Sequence, residues 1–147
     1  MSASAHERDG SARRRASFEP RAAEELRGIR HGNGHGRVAC FLIRNKDCLG
    51  LLRARDIDWM RAEGNYTCIH AGKAEHLVRR GIGELEAQLD HGRFLRISRS
   101  VIVNLDRVDR LVPWFSGGYL VRLGSGAEFK LTRRYAHRLF RLMGRPL

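Results

Sequence analysis

The amino-acid sequence predicts a mainly β protein that carries two short helices. From about residue 38 onward, short apolar or alternating runs recur, and turn-forming Gly, Asn, Asp or Ser residues separate most of them. Two segments, near 81–90 and 133–143, instead repeat their apolar residues at helical spacing. We therefore expect several short antiparallel sheets, with one helix inside the β-rich region and one helix after it.

The strands before the first helix are expected to form an antiparallel meander. The run 66–71 alternates between two faces, with Cys68 and His70 on one face and Thr67 and Ile69 on the other. Dipeptides that favour turns flank this run on both sides. The predicted strands of this part are 38–43, 49–53, 57–61, 66–71 and 76–79.

Each predicted helix has an apolar stripe. Ile82, Leu85 and Leu89 lie at positions i, i+3 and i+7 of the first helix, which Gly92 ends. Thr132 precedes the second helix, whose apolar stripe runs beside a stripe of arginines. The predicted strands between the helices are 94–97, 101–103, 108–115, 119–123 and 127–131, the last two forming a hairpin.

Residues 1–36 are predicted to be a disordered, low-complexity basic tail, and residues 37–147 to form the folded domain. The tail holds few large apolar residues, so burial there cannot offset the entropy of ordering the chain. A short helix over 20–30 is the one element expected in it. His31 and His35 have the spacing of metal ligands on a helix, but the glycines between them favour a linker.

The sequence predicts a cytoplasmic protein that does not enter a membrane. No apolar run approaches the roughly 20 residues of a transmembrane helix, and the N-terminus lacks a signal-peptide core. Cys40, Cys48 and Cys68 have no metal-ligand spacing and are expected to be free, mostly buried thiols. A redox pair between Cys40 and Cys48 is the alternative that their spacing leaves open.

Basic charge is concentrated in the second half of the predicted domain. The chain has 28 Lys plus Arg and 16 Asp plus Glu, a formal net charge of +12. Residues 38–90 hold 8 basic and 8 acidic side chains, whereas residues 91–147 hold 12 and 3. A one-sided basic surface suits a nucleic acid or another polyanion. No nucleotide-loop, metal-hydrolase or nucleophile motif occurs, so we expect a binding protein rather than an enzyme, without cofactor or metal.

Three segments place polar or basic side chains at junctions between predicted elements. Ser98-Arg99-Ser100 lies between apolar strands that would hold it rigidly, although serines also favour plain surface turns. Thr132-Arg133-Arg134 puts two arginines at a helix start, where they oppose the macrodipole unless an anion binds there. Glu63-Gly64-Asn65-Tyr66 offers an amide and an aromatic ring, or is simply a β-turn.

The residues of these segments resemble the LytTR family of DNA-binding domains. The resemblance runs from about Arg55 to Phe140, and more weakly back to Arg37. Its most specific stretch is 94–105, FLRISRSVIVNL, because the order of these residues and their spacing to the later Arg-Arg-Tyr are hard to obtain by chance. The other resembling stretches are Ile57-Asp58-Trp59, Glu63-Gly64-Asn65-Tyr66, Leu85-Glu86 and Leu131-Thr132-Arg133-Arg134-Tyr135.

The resemblance implies an elongated all-β fold whose loops, rather than a recognition helix, enter successive major grooves of double-stranded DNA. It implies base contacts from Arg99 and Arg133, and a third from Asn65 or Tyr66. Family members commonly have histidine where Ser98 stands and serine where Thr132 stands, so the preferred DNA sequence can differ. The side chains expected to contact phosphates are Ser98, Ser100, Arg96, Lys130, Arg134 and Arg138.

The expected function is sequence-specific binding of double-stranded DNA by a bacterial transcription regulator. Many relatives carry a phosphorylatable receiver domain where this chain has a polar tail of about 36 residues, so control by aspartate phosphorylation within the chain is not expected. A regulatory partner protein and a homodimer on repeated half-sites are both compatible with this reading. Two alternatives stay open. One is a basic module that binds RNA or a protein, and the other is a metal- or redox-responsive regulator using His31, His35 or the cysteines.

Overall fold

The computed structural model describes residues 24–30, 37–44, 46–142 and 144, and these form eleven strands and two α-helices. The predicted mainly β fold with two short helices is confirmed. The helices are α1, Ile82–Gln88, and α2, Arg133–Leu142. The strands are β1 Glu25–Arg30, β2 Val38–Arg44, β3 Leu49–Arg53, β4 Trp59–Glu63, β5 Tyr66–Ala71, β6 Ala74–Val78, β7 Phe94–Arg96, β8 Val101–Asn104, β9 Val108–Pro113, β10 Tyr119–Leu123 and β11 Glu128–Leu131.

The central sheet has five strands in the order β6-β5-β4-β8-β7, and all neighbouring strands are antiparallel. β4 lies in the middle, where Met60 faces Ile69 of β5 and Ile102 of β8. Because the strands alternate in direction, β4, β6 and β7 finish at the same end of the sheet at which β5 and β8 begin. This end, called the loop end below, carries the turn before β5 and the connection between β7 and β8.

Strands β1, β2 and β3 form a second sheet in that order. The short helix expected over 20–30 is wrong for Glu25–Arg30, because these residues pair with β2 along a whole strand and this pairing outweighs local helix propensity. Glu24 also joins the central sheet, since its amide donates to the carbonyl of Leu77 at 2.7 Å. Residues 1–23 and 31–36, which include His31 and His35, lie outside the described residues, and disorder there stays a prediction.

The expected single meander is wrong between β3 and β4. β3 pairs with β2, whereas β4 pairs with β5 and with the distant β8. A 3₁₀ turn, Ala54–Asp56, separates the two strands, and the amide of Ile57 donates to the carbonyl of Ala54 at 3.0 Å. The predicted strand 57–61 therefore begins only at Trp59.

The third sheet has the order β11-β10-β9 and contains the predicted hairpin. Gly126 has a φ of +101°, a backbone conformation that suits glycine at the turn of this hairpin. β9 ends at Pro113 rather than at residue 115, because Phe115–Gly117 forms a 3₁₀ turn.

Two hydrophobic clusters lie on opposite faces of the central sheet. The first contains Met60, Ile69 and Ile102 from that sheet, together with side chains of the β1–β3 sheet and α1. The second contains Val101 and Val103 of β8, together with side chains of the β9–β11 sheet and α2. Alternate residues of the central strands therefore serve different clusters, and this explains why these strands are apolar along their whole length.

Asn104 is fully buried at the end of β8 and fastens the segment that leads into β4. Its side-chain amide donates to the carbonyl of Ile57 at 2.8 Å, and its side-chain oxygen accepts from the amide of Asp106 at 2.9 Å. The bond to Ile57 is buried, so water cannot replace it easily.

Replacing Asn104 by Ala is expected to lower the free energy of unfolding by about 3 kcal/mol, because the Ile57 carbonyl and the Asp106 amide lose their partners. Urea unfolding followed by tryptophan fluorescence would measure the change. Asn65→Ala, which alters an exposed amide, is the matched control and should cost less than about 0.5 kcal/mol. Equal losses in the two variants would contradict the role given to Asn104.

Candidate nucleic-acid interface

The segment Ser98-Arg99-Ser100 forms the connection between β7 and β8 at the loop end. Backbone hydrogen bonds close it on both sides: the amide of Ile97 donates to the carbonyl of Val101 at 2.9 Å, and the amide of Ala62 donates to the carbonyl of Ser100 at 2.8 Å. Ser98 contributes a third bond, because its hydroxyl accepts from the amide of Ser100 at 3.3 Å. The Arg99 side chain is exposed on this fixed backbone.

The Arg96 side chain also fixes the β7–β8 connection, by bonding two of its backbone carbonyls. Its Nε donates to the carbonyl of Ser98 at 3.3 Å, and its Nη2 donates to the carbonyl of Arg99. Its Nη1 reaches the carboxylate of Glu86 on α1 at 3.0 Å. The Arg96 side chain is only 21% exposed. A guanidinium so engaged mainly positions Arg99, and the phosphate contact predicted for Arg96 stays a prediction.

Glu86 joins three elements through its two carboxylate oxygens. Oε1 pairs with Arg96 beside the β7–β8 connection, and Oε2 accepts from Nη1 of Arg138 on α2 at 3.1 Å. The Arg138 guanidinium also lies 5.3 Å from the ring centroid of Tyr135. Glu86 is not among the contact residues predicted from the sequence, and the sequence signal for it is its place in the resembling Leu85-Glu86 stretch. The carboxylate sets the position of two predicted phosphate contacts.

The turn before β5 lies beside this connection. Gly64 has a φ of +63°, which explains why glycine stands there. Asn65 is exposed, and Tyr66 is half-buried at the start of β5. Because the backbone of Ala62 is bonded to Ser100, the turn and the β7–β8 connection are neighbours at the loop end. The structure thus brings Asn65 and Tyr66 to the same end of the sheet as Arg99.

The third predicted segment begins α2. The carbonyl of Thr132 accepts from the amides of Tyr135 and Ala136 at 3.0 and 2.9 Å, while Arg133 and Arg134 are exposed. Leu131, just before this segment, belongs to the same hydrophobic cluster as Ile97 and Val101, which flank the β7–β8 connection. The shared cluster fixes this helix start relative to the loop end.

An exposed aromatic turn lies beside Arg133. Gly117 has a φ of +80°, and a Cβ atom at this position would lie 3.2 Å from Nε of Arg133. Nζ of Lys130 lies 5.8 Å from the ring centroid of Trp114. The neighbouring Phe115 is 79% exposed, and sequence reasoning missed it because it lay inside a predicted strand.

Comparison with known proteins decides the family. The model of the LytTr DNA-binding domain matches residues 47–144, about two thirds of the chain. This chain belongs to the LytTR family of DNA-binding domains. The predicted resemblance is therefore confirmed, and it includes all three segments described above.

Curated relatives of this LytTR chain are regulatory proteins. The sensory transduction protein LytT of Bacillus subtilis is 24% identical over 111 residues, which are 76% of this chain and 46% of LytT. The transcriptional regulatory protein YpdB of Escherichia coli is 26% identical over 93 residues, 58% of this chain and 38% of YpdB. The chain thus spans less than half the length of these two relatives.

A solved structure has the same LytTR fold. It is a LytTr DNA-binding domain from Bacillus cereus, with a TM-score of 0.65 and 20% sequence identity. The alignment covers 72% of this chain and 97% of that domain. At this identity the likeness establishes the fold.

The remaining candidate groups contribute no second site to the described part of this LytTR domain. Cys40 and Cys68 are buried, as expected for most of the cysteines, and Cys48 is exposed. Within residues 24–30, 37–44, 46–142 and 144, no three His, Cys, Asp or Glu side chains are grouped to hold a metal ion. No helix in this part of the chain is long and apolar enough to cross a membrane.

Replacing Glu86 by Gln is expected to loosen the β7–β8 connection by about 1 kcal/mol, because Arg96 loses its charged anchor. Hydrogen exchange of the Ala62 amide, which is bonded to Ser100, should then be about fivefold faster. Glu84→Gln removes the same charge from α1 and keeps an oxygen for the Gly81 amide, so it is the control. Equal exchange in both variants would refute the anchoring role of Glu86.

Proposed function

We propose that this chain binds double-stranded DNA with sequence preference and regulates transcription, reading major-groove base edges through its loops. The family membership supports DNA binding. The observation that carries the proposal is the rigid presentation of Arg99: an exposed guanidinium on a connection whose carbonyls are clamped by Arg96. A fixed guanidinium can donate two hydrogen bonds to the O6 and N7 atoms of one guanine.

Arg133 and the turn before β5 supply the other proposed base contacts. Arg133 is exposed at the start of α2, where the free backbone amides of a helix favour a nearby phosphate. Asn65 is exposed in the turn, and an amide can bond both N6 and N7 of adenine. Tyr66 is half-buried and can add a contact of its hydroxyl or ring at the same place.

The proposed phosphate contacts surround these positions. Lys130 and Arg134 are exposed, and Ser98 and Ser100 border Arg99 directly. Arg138 already pairs with Glu86, so a phosphate there would share the guanidinium with that carboxylate. The excess of 12 basic over 3 acidic residues in 91–147 supports a general attraction to the DNA backbone.

The names of the relatives support a regulatory role for the whole protein. LytT is described as a sensory transduction protein and YpdB as a transcriptional regulatory protein. We extend transcription regulation to this chain on that likeness. Binding of two copies to half-sites about one helical turn apart, and control by a partner protein, are further parts of the proposal.

Arg99→Ala is expected to weaken binding to the preferred duplex by about 1–3 kcal/mol and to relax the base preference at one position. The preferred duplex comes from selection by the full chain out of a random pool, and fluorescence anisotropy then measures each affinity. Arg134→Ala is the control, because this exposed arginine has no ion pair with another described residue. It should weaken preferred and scrambled duplexes alike.

If Arg99→Ala bound both duplexes as well as the wild-type chain, base reading by Arg99 would be wrong. If selection enriched no sequence, and RNA competed as well as duplex DNA, the chain would instead be a basic module without specific DNA readout. Binding that disappears as salt rises would then reflect the charge of residues 91–147 alone.

A further inference from the structure

A second basic surface adjoins the proposed DNA interface at Tyr66, on the side away from the β7–β8 connection. It is a cleft of about 680 Å³ between the β1–β3 sheet and the loop end of the central sheet. Four arginines and two glutamates line it, together with Tyr66, which already belongs to the proposed interface. The four arginines are Arg27, Arg44, Arg79 and Arg80.

Strand register places Arg79 at the loop end. β6 pairs with β5 so that Val78 faces Thr67, and Arg79 follows directly. Arg79 therefore lies beside Tyr66, on the opposite side of that residue from the β7–β8 connection. Three strand spacings separate β6 from β8, which corresponds to roughly 14 Å. Successive phosphates of one DNA strand advance by about 3.4 Å, so this distance spans about four base pairs.

The β1–β3 sheet continues the row of basic residues. Glu24 is bonded to Leu77 of β6, so β1 begins beside the loop end. Glu25 faces Arg44, and Arg27 faces Leu42 in the next pair on the same face of the sheet. These pairings bring Arg44 and Arg27 to the cleft. Both precede residue 47, where the match to the family model begins.

Three of the arginines present their charge to solvent. Arg27, Arg44 and Arg79 are exposed, and no ion pair joins any of them to another described residue. The fourth, Arg80, fixes the backbone instead: its Nη2 donates to the carbonyl of Leu26 at 2.8 Å, and its own carbonyl accepts from the Thr67 hydroxyl at 2.7 Å. Arg79 is thus carried on an anchored chain segment.

The acidic side chains of the cleft leave this charge in excess. Glu24 is engaged by Nδ1 of His76 at 2.7 Å, which leaves Glu25 as the exposed carboxylate among four arginines. A folded protein gains nothing from crowding unpaired arginines on one face, since like charges repel. A polyanion that follows the loop end past Tyr66 would neutralise them.

We propose that Arg27, Arg44 and Arg79 bind the phosphate backbone of DNA that flanks the bases read by the loops. The proposal rests on the proposed function, because it extends the same duplex beyond Asn65 and Tyr66. The footprint on DNA is then longer on the side of the β1–β3 sheet than on the side of Arg133. These contacts add affinity without adding base preference.

The test compares three duplexes. One is the selected duplex trimmed to the shortest form that keeps its base preference. The other two carry about 10 additional base pairs of fixed sequence, one at the left end and one at the right end. The full wild-type chain should bind one of the lengthened duplexes about tenfold more tightly than the trimmed one. In the double variant Arg44→Gln/Arg79→Gln most of this gain should vanish, while binding to the trimmed duplex stays within about twofold. The slope of log Kd against log salt on the long duplex should fall by about two.

The control is the double variant Arg93→Gln/Arg110→Gln. Half-buried Arg93 pairs with Asp106 and exposed Arg110 pairs with Asp109, and Arg93 lies at the end of the central sheet opposite the loop end. The control removes the same charge and should keep the full gain from the longer duplex. A matching loss in both double variants would mean that net charge alone is responsible, and would overturn the proposal.

Two further results would also overturn it. Wild-type binding that is indifferent to duplex length would show that no flanking backbone is bound. If millimolar inorganic phosphate then stabilised the wild-type chain against heat but not Arg44→Gln/Arg79→Gln, the cleft would take a small anion instead. In both cases a base preference on the trimmed duplex would leave the proposed function intact, whereas its absence would remove that function itself.

Discussion

The pairing of β4 with β8 determines where the proposed contacts of Arg99, Asn65 and Tyr66 lie. These strands are distant in the chain, yet Met60 faces Ile102 and Arg61 faces Val101. This register sets the turn before β5 next to the β7–β8 connection. A slip by one residue would exchange the two faces of β8, sending Ile102 and Val103 into the wrong clusters. Because both faces are buried, such a slip is costly, and the arrangement at the loop end is correspondingly well specified.

Buried polar groups secure both ends of the sheet. Asn104 does so at the end of β8, and Thr67, which is fully buried, does so near the loop end by bonding the carbonyl of Arg80. Hydrophobic contact is non-directional and does not by itself fix the path of a loop. These directed bonds do, and they hold the segments that lead into β4 and away from β6. The apolar clusters thus supply cohesion while a few polar side chains define the geometry.

Most of the elements could be predicted from local pattern. The hairpin of β10 and β11, the alternating β5 and both helices have periodicities that depend on neighbouring residues only. β1 could not be predicted, because ELRGIR has no apolar alternation and becomes a strand only by pairing with β2. The break between β3 and β4 was missed for a related reason: the choice of β8 as partner depends on residues at least 40 positions away.

Part of the candidate site could likewise be predicted from local sequence, and part depends on tertiary structure. Ser98-Arg99-Ser100 and Arg133 could be found because polar residues interrupt apolar runs, and the family resemblance drew attention to the same positions. The Arg96–Glu86–Arg138 arrangement could not, since it joins three elements that are separate in the chain. The exposure of Phe115 also depends on tertiary structure, because the sequence of that segment is typical of a strand.

The clamp on the β7–β8 connection affects which side chains of this loop can change during evolution. Arg96 bonds the backbone carbonyls of Ser98 and Arg99, and the closing bonds from Ile97 and Ala62 are also made by backbone atoms. The shape of the loop therefore depends little on which side chain occupies position 99, whereas the Ser98 hydroxyl adds one bond by accepting from the Ser100 amide. Substitutions there can change the surface that meets a ligand while the scaffold keeps its stability. A fold built in this way can acquire new recognition specificities by single substitutions.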